Sequence, residues 1–508
     1  MNVTHISGRH SSETSAAVAA GALAALVSFV GSWIPQFWYD EMATLGAARR
    51  TPAELMRLLG NVDAVHGAYY WFMDGWLRLV PDTELWTRLP GVMAIGLAGA
   101  GIHVLARRLA GPTTALVAAV FFAFLPSTVQ TATEARPYAF TVAAAVWATV
   151  ALVTLVRAIL DGRRWWPAAL TYGVLLVASM AFSVLSAPLM AAHALSVLIS
   201  RSTRRAILIV LACMVAAVIV VSPLVLAVAD QSGQVAWIGD YHYNPVLRVN
   251  DIAFPNAPQL TVLALVVGVC TIVGIARARA HRDSVVTRKP PPGLTLAAVA
   301  WPWLIAPPIL LGLYSLISPS FVTRYLWFVA PAVALLLAAG VIRLADNRIR
   351  AGVPMVAVWT AAYVVLALPT VAYLHTPLSK PYGIDYRSAT RYLADHLAAQ
   401  DCLVQGDVAH ADGTSRYIAE GYPQGFARGR DIMLDDTVES SLDRGALWDR
   451  SLPMDTTGQR AQGCPRVWVL TDRENASAPS DSLRANGFRE SGRFTGKDLQ
   501  VIEFVPTR

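Results

Sequence analysis

Charge is what this chain has little of. Only 15% of its 508 residues are Asp, Glu, Lys or Arg, against 55% hydrophobic; a soluble domain carries about 25% charge. Lysine stands only at Lys289, Lys380 and Lys497, so the net charge of +7 is an arginine charge. The arginines fall mostly between apolar runs, the pattern that orients membrane helices, and no nucleic-acid partner is expected. Cysteines number four and histidines ten, and no Cys/His cluster has metal-ligand spacing. No cofactor is therefore expected, and a divalent metal is left open. Cys213 and Cys270 lie in apolar runs and read as core residues. No internal repeat or low-complexity tract stands out.

Long apolar runs are what the chain has in abundance. Stretches near 15–35, 88–106, 112–130, 137–158, 166–182, 184–200, 206–229, 258–276, 294–317, 325–343 and 352–374 are long enough to cross roughly 30 Å of hydrocarbon as helices. They predict a polytopic α-helical membrane protein of about 11 transmembrane helices. The polar stretch 1–14 reads as a cytoplasmic tail, and the run after it is too long for a secretory signal. Short basic connections (106–111, 157–166, 201–205, 277–292, 343–352) alternate with connections poor in arginine (36–87, 131–136, 230–257, 318–324). Basic connections stay cytoplasmic. The N-terminus is thus expected inside and the C-terminus outside a cell membrane.

The first outer loop, 36–87, is too long to be a mere connector. "TPAELMRLLG" opens with a capping Thr and a Pro at the first helical position, and "GAYYWFMDGWLRLV" is an aromatic, amphipathic segment suited to an interface. After Leu374 the composition becomes soluble. Helical periodicity at 385–400 and 480–488 alternates with strand-like "CLVQGDV", "RVWVLTD" and "LQVIEFV". Residues 375–508 are expected to form an extracytoplasmic α/β domain after a membrane domain spanning 15–374. Cys402 and Cys464 lie beside predicted strands of that domain, in an oxidising compartment, and are expected to pair.

Four constellations fall on the same expected membrane face. They are Asp40-Glu41; "NVDAVHGAYYW", with Asp63, His66 and Tyr69; "TATEARPYAF", with Glu134, Arg136 and Tyr138; and "SPSFVTRYLWFVAP", with Arg324 and Tyr325. Singly, each has a plainer reading. An Arg-Tyr pair at an interface is usually a snorkelling anchor, an outer Asp-Glu pair a solvated turn, a lone His a packed one. Jointly they supply carboxylates that accept a proton and Arg and Tyr donors that hold an anion. Such a set suits a phosphate whose tail stays in lipid.

The chain resembles the GT-C glycosyltransferases, in the branch containing protein O-mannosyltransferases and bacterial aminoarabinose transferases. The resemblance rests on "YDE" after the first span, the D-x-x-H-x-x-Y-Y loop, "ELWTRLPGVMAIGLAG" with Arg88, "EARPYAF" and "RYLWFVAPAVALLLAAG", in that order over roughly residues 15–345. It implies a polyprenyl-phosphate sugar donor and an acceptor hydroxyl, on a glycan, lipid or protein, outside the membrane. It further implies that Asp40 is the general base, that Glu41 supports it or the acceptor, and that Arg136, Tyr138, Arg324 and Tyr325 bind the donor phosphate. Asp63, His66, Tyr69, Glu134 and Arg88 fall in its acceptor and substrate loops, though Arg88 equally suits a helix cap. Relatives often carry a Lys after the position of His66, where this chain has "HGAYY". Transfer of a preassembled glycan, as by ligases, is the alternative enzyme; a lipid-linked sugar transporter or flippase is the alternative from another class.

Overall fold

The computed structural model describes residues 4–240, 248–280, 293–346, 352–409 and 414–507. Parts of the connections 230–257, 277–292 and 343–352, and the start of the N-terminal tail, lie outside the described residues. The chain divides into two compact units, Met1–Ser32 with Arg88–Tyr373, and Trp33–Thr87 with Leu374–Arg508.

The first unit is helical. Among the described residues, six helices are long and apolar enough to cross a membrane: Glu84–Ala110 (shared with the second unit through its first turn), Tyr138–Leu160, Arg204–Asp230, Leu296–Tyr314, Thr323–Ala345 and Pro354–Leu374. Shorter apolar helices occupy Glu13–Phe29, Trp166–Phe182, Val184–Ile199 and Pro258–Val273. The run at 112–130 is not one straight helix. It breaks into Pro112–Ala123 and Pro126–Ala132, bent by 59°. Pro126 brings no N–H to the preceding turn and holds Leu125 extended, at φ −68° and ψ 123°. The expected polar tail is largely helical, since the first helix starts at Thr4.

Small residues set the helix spacing. A Cβ on Gly21 would stand 2.7 Å from the Gly96 carbonyl oxygen, and one on Gly99 would stand 2.8 Å from Ala24 Cβ. Lipid gives no hydrophobic drive between helices, so such close backbone approach supplies the packing.

The second unit is built on a five-stranded sheet of order β2-β1-β3-β5-β4. Its strands are β1 (Cys402–Gln405), β2 (Arg430–Asp431), β3 (Val467–Thr471), β4 (Phe488–Thr495) and β5 (Gln500–Pro506). β1 pairs in parallel with β2 and β3, while β5 runs antiparallel to β3 and β4. Alternate residues feed two cores. Leu403, Trp468, Leu470 and Val501 join Ile384, Ala389 and Leu393 on one face. Cys402, Val404, Val469, Ile502 and Phe504 join Leu483 and Phe488 on the other. The parallel strands β1 and β3 read as near-continuous apolar runs because both faces are covered.

Residues 33–87 complete this unit. Phe37, Met42 and Leu45 sit in the same core as Leu403 and Trp468. Gln36 donates from its main-chain N–H to the Pro377 carbonyl at 3.2 Å and accepts from the Arg387 N–H at 2.9 Å. The expected short helix is present at Pro52–Asn61, with Thr51 and Glu54 forming a capping box, and the aromatic helix runs Gly67–Leu77. Cys402 and Cys464 are joined by a disulfide.

Candidate active site

Asp40 and Glu41 do not end the first helix. That helix stops at Phe29, and the pair lies in the first turn of a separate helix, Tyr39–Ala48. Carboxylates there complement the helix dipole and stabilise the start of the helix. Asp40 is 9% exposed and Glu41 is fully buried. Lys380, itself 7% exposed, brings its Nζ to 3.9 Å from Glu41 Oε2. The sequence alone did not mark Lys380. The signal was there in its isolation, as one of three lysines and the one that stands directly after the last apolar run.

The D-x-x-H-x-x-Y-Y loop is self-bracing. Asp63 adopts the left-handed region at φ 59°, where Asp is tolerated better than most residues. Its Oδ2 accepts from the Tyr70 hydroxyl at 2.6 Å. His66, buried, tilts against Tyr70 with ring centroids 5.8 Å apart, and Tyr69 is buried beside them. Glu84, at the head of "ELWTRLPG", accepts from Arg387 at 2.7 Å and from the Tyr422 hydroxyl at 3.2 Å. All of these residues belong to the second unit.

The first unit holds the arginine and tyrosine motifs. Glu134, Arg136 and Tyr138 are all buried, in the turn between the helices Pro126–Ala132 and Tyr138–Leu160. The Arg136 main-chain N–H donates to the Glu134 carbonyl at 2.8 Å, and Gln130 Nε2 donates to Glu134 Oε1 at 3.4 Å. Arg324 and Tyr325 lie in the 3₁₀ turn Thr323–Val329 and are half-buried. The two turns meet through their rings. Tyr138 lies 6.2 Å from Tyr325 and packs edge-on to Trp327 at 5.5 Å. The Arg324 guanidinium sits 5.6 Å from the Tyr325 ring and 6.0 Å from Trp237, a ring from the 230–257 connection not singled out in the sequence. Tyr and Trp faces favour a cation. Arg88 is fully buried and donates to the Ser32 carbonyl at 2.7 Å, a tie to the chain just after the first helix.

Chemically, the first unit thus offers a cation–phenol cluster, buried at Arg136 and Tyr138 and half-buried at Arg324 and Tyr325, fit for an oxyanion. The second offers a nearly buried carboxylate fit to accept a proton.

A family model for dolichyl-phosphate-mannose-protein mannosyltransferases matches residues 68–226, less than half of the chain. No curated protein matches the chain in sequence. Among solved structures it is similar to ArnT from Cupriavidus metallidurans in the apo state, with 11% identity, 96% of this chain and 97% of that one covered, and a TM-score of 0.54. Against the same protein bound to undecaprenyl phosphate the identity is 12%, with the same coverages and a TM-score of 0.53. The Archaeoglobus fulgidus oligosaccharyltransferase in complex with Zn and sulfate is 9% identical, with 93% of this chain and 69% of that one covered and a TM-score of 0.50. At these identities the likeness is one of fold. Over nearly its whole length, the chain has the GT-C fold that its motifs led us to expect.

Proposed function

We propose that the protein is an integral membrane glycosyltransferase that moves a sugar, of mannose or arabinose type, from a polyprenyl-phosphate donor to an acceptor hydroxyl outside the membrane. The observation that carries this is the meeting of two Arg/Tyr turns, Arg136-Tyr138 and Arg324-Tyr325, through the Tyr138, Tyr325 and Trp327 rings. An anchor that merely snorkels has no need of a second arginine-bearing turn packed on it. The family model and the undecaprenyl-phosphate-bound relative support a lipid-phosphate donor.

In this mechanism the acceptor oxygen attacks the anomeric carbon as the bond from that carbon to the phosphate oxygen breaks. The acceptor proton goes to Asp40, and the configuration inverts. The lipid phosphate departs as an anion, whose developing charge is met by the arginines and tyrosine hydroxyls. Glu41, paired with Lys380, supports the helix turn that presents Asp40.

The test is a transfer assay on membranes given labelled polyprenyl-phosphate mannose and polyprenyl-phosphate arabinose in parallel. Label should pass from one donor into glycan, lipid or protein. Translocation of the lipid-linked sugar with no glycosyl product would identify a flippase instead.

A further inference from the structure

We propose that the carboxyl ends of β1 and β3, with the rings of Tyr39, Tyr417 and Trp448, form a carbohydrate-binding subsite for the acceptor, so that the hydroxyl glycosylated belongs to a sugar chain. As an acceptor site it rests on the transferase mechanism above.

Open α/β sheets take ligands in the crevice beyond the carboxyl ends of their parallel strands. Here β1 leads into Gly406-Asp407, and β3 ends at Thr471 with Asp472 next. Ser415 stands at this edge, its N–H donating to the Gly406 carbonyl at 3.1 Å. Tyr417 follows two residues later. Its ring stands edge-on to Tyr39 at 5.0 Å, Trp448 lies 5.9 Å from Tyr39, and Trp448 lies 6.1 Å from Tyr417. Tyr417 is buried, while Tyr39 and Trp448 are half-buried and give the triangle an open side. Tyr39 precedes Asp40 in the same helix turn, which links the triangle to the element that carries the proposed base.

A sugar ring has an apolar C–H face and a rim of hydroxyls. Flat aromatic surface covers the face, and carboxylates accept from the rim. The two carboxylates at the strand ends differ in availability. Asp472 is occupied, accepting from the Ala409 N–H at 2.5 Å and the Asn475 N–H at 2.8 Å. Asp407 accepts through its main-chain carbonyl, from Thr471 Oγ1 at 2.8 Å, but its carboxylate makes no hydrogen bond among the described residues. Burial pushes the Asp407 carboxyl up from its ordinary range, and the neighbouring Asp472 charge adds to this. Hydroxyls donated to it would relieve that cost. A second polar atom is unanswered at the same edge: Ser415 Oγ is fully buried and has no partner among the described residues.

The test uses the full chain in lipid nanodiscs, titrated calorimetrically with mannotetraose, an arabino-oligosaccharide of equal length and a Ser/Thr-rich peptide. Polyprenyl phosphate is titrated in parallel. One of the oligosaccharides should bind, Trp448→Ala and Asp407→Asn should each weaken it about tenfold, and Trp448→Phe should retain most of the affinity. Retained polyprenyl-phosphate binding shows that each variant is folded. Binding of the peptide alone, binding of no acceptor probe, or sugar affinity indifferent to both Trp448→Ala and Asp407→Asn overturns the subsite. Sugar binding without any polyprenyl-phosphate binding upholds the sugar subsite and sinks the transferase mechanism instead.

Discussion

Asp40 and Glu41 differ by one methylene and one position, yet their surroundings set them different tasks. Neighbours on a helix point about 100° apart. Glu41 turns inward to Lys380 and is fully buried, whereas Asp40 keeps 9% exposure. Asp40→Asn preserves shape and removes the base, so turnover should fall by roughly 10²–10⁴-fold with donor affinity nearly intact. Glu41→Gln should act mainly on stability, because removing one partner of a buried ion pair costs up to about 3–5 kcal/mol. Turnover and thermal unfolding of both variants decide between them. A folded, active Asp40→Asn beside a dead Glu41→Gln would reverse the roles.

Arg324→Ala should weaken polyprenyl-phosphate binding by about ten- to a hundredfold, the worth of charge-assisted hydrogen bonds. Unchanged affinity would make Arg324 an interfacial anchor. Asp407 provides a test by pH. Its folded-state pKa is raised by burial and by Asp472, so the folded form binds the proton more tightly than the unfolded chain does. The stability contributed by the protonated carboxyl is present at acid pH and is lost as pH rises through the folded pKa. Asp407→Asn should therefore melt at a higher temperature than the parent at neutral pH. The two curves should converge below the ordinary carboxylate range, and parallel curves at all pH values would refute this. Motif residues such as Arg136 and Arg324 were legible in the sequence because charge at the end of an apolar run is conspicuous. Lys380, Trp237 and Asp407 were not, since their significance comes from neighbours distant in sequence.

At the scale of elements, apolar runs and strands were readable wherever one constraint dominated. β1 and β3 are buried on both faces, so "CLVQ" and "VWVLT" are plain as strands. β4 was missed. Its burial alternates strictly and its outward positions carry Arg489, Ser491, Arg493 and Thr495, which leaves little apolar signal in "FRESGRFT". The break at Leu125-Pro126 was missed too, because hydropathy is blind to a missing N–H. His193, isolated in an apolar run, becomes intelligible only with its partners. Its ring nitrogens lie 3.0 Å from Thr149 Oγ1 and 3.1 Å from the Tyr172 hydroxyl, a buried polar knot tying three helices. The disulfide makes the prediction at this scale. Cys402 and Cys464 are 62 positions apart, and closing a loop of that length is worth about 4 kcal/mol in the chain-entropy model. Reduction should lower the unfolding transition of the sheet-bearing unit and leave that of the helical unit in place. Near-ultraviolet and far-ultraviolet dichroism on heating, with and without reductant, would separate them, and identical melts would mean that the bond is incidental.

For the whole molecule the open quantity is the parity of membrane crossings. Six long helices, one bent pair and four shorter apolar helices are present among the described residues, and counting all as spans gives the eleven read from the sequence. Contacts within the helical unit agree with strict alternation over the first crossings. Arg107 pairs with Glu13 at 2.7 Å, and Arg108 donates to Thr154 Oγ1 at 2.5 Å, so the start of the first helix and the basic connections lie at one end. The turns of Arg136 and Arg324 meet each other through the Tyr138 and Tyr325 rings, as two turns on a common face do. The segments Trp166–Phe182 and Val184–Ile199 are only about 25 Å long as helices, short of a full bilayer, but they cannot alter the parity together. Two spans or one re-entrant hairpin both return the chain to the side it left. The bent pair Pro112–Ala123 and Pro126–Ala132 can alter it, since a re-entrant loop there would move every later segment to the opposite side. We therefore expect an odd count, with the C-terminal sheet on the face opposite the N-terminus. Paired reporters, one active only in the cytoplasm and one only outside, fused in turn after Arg108, after Arg164 and at the C-terminus, measure this directly. The first two fusions should report cytoplasm and the last outside. A cytoplasmic C-terminus with Arg108 and Arg164 on the same side would locate the error beyond the helix Tyr138–Leu160, whereas Arg108 and Arg164 on opposite sides would show that the bent pair does not cross.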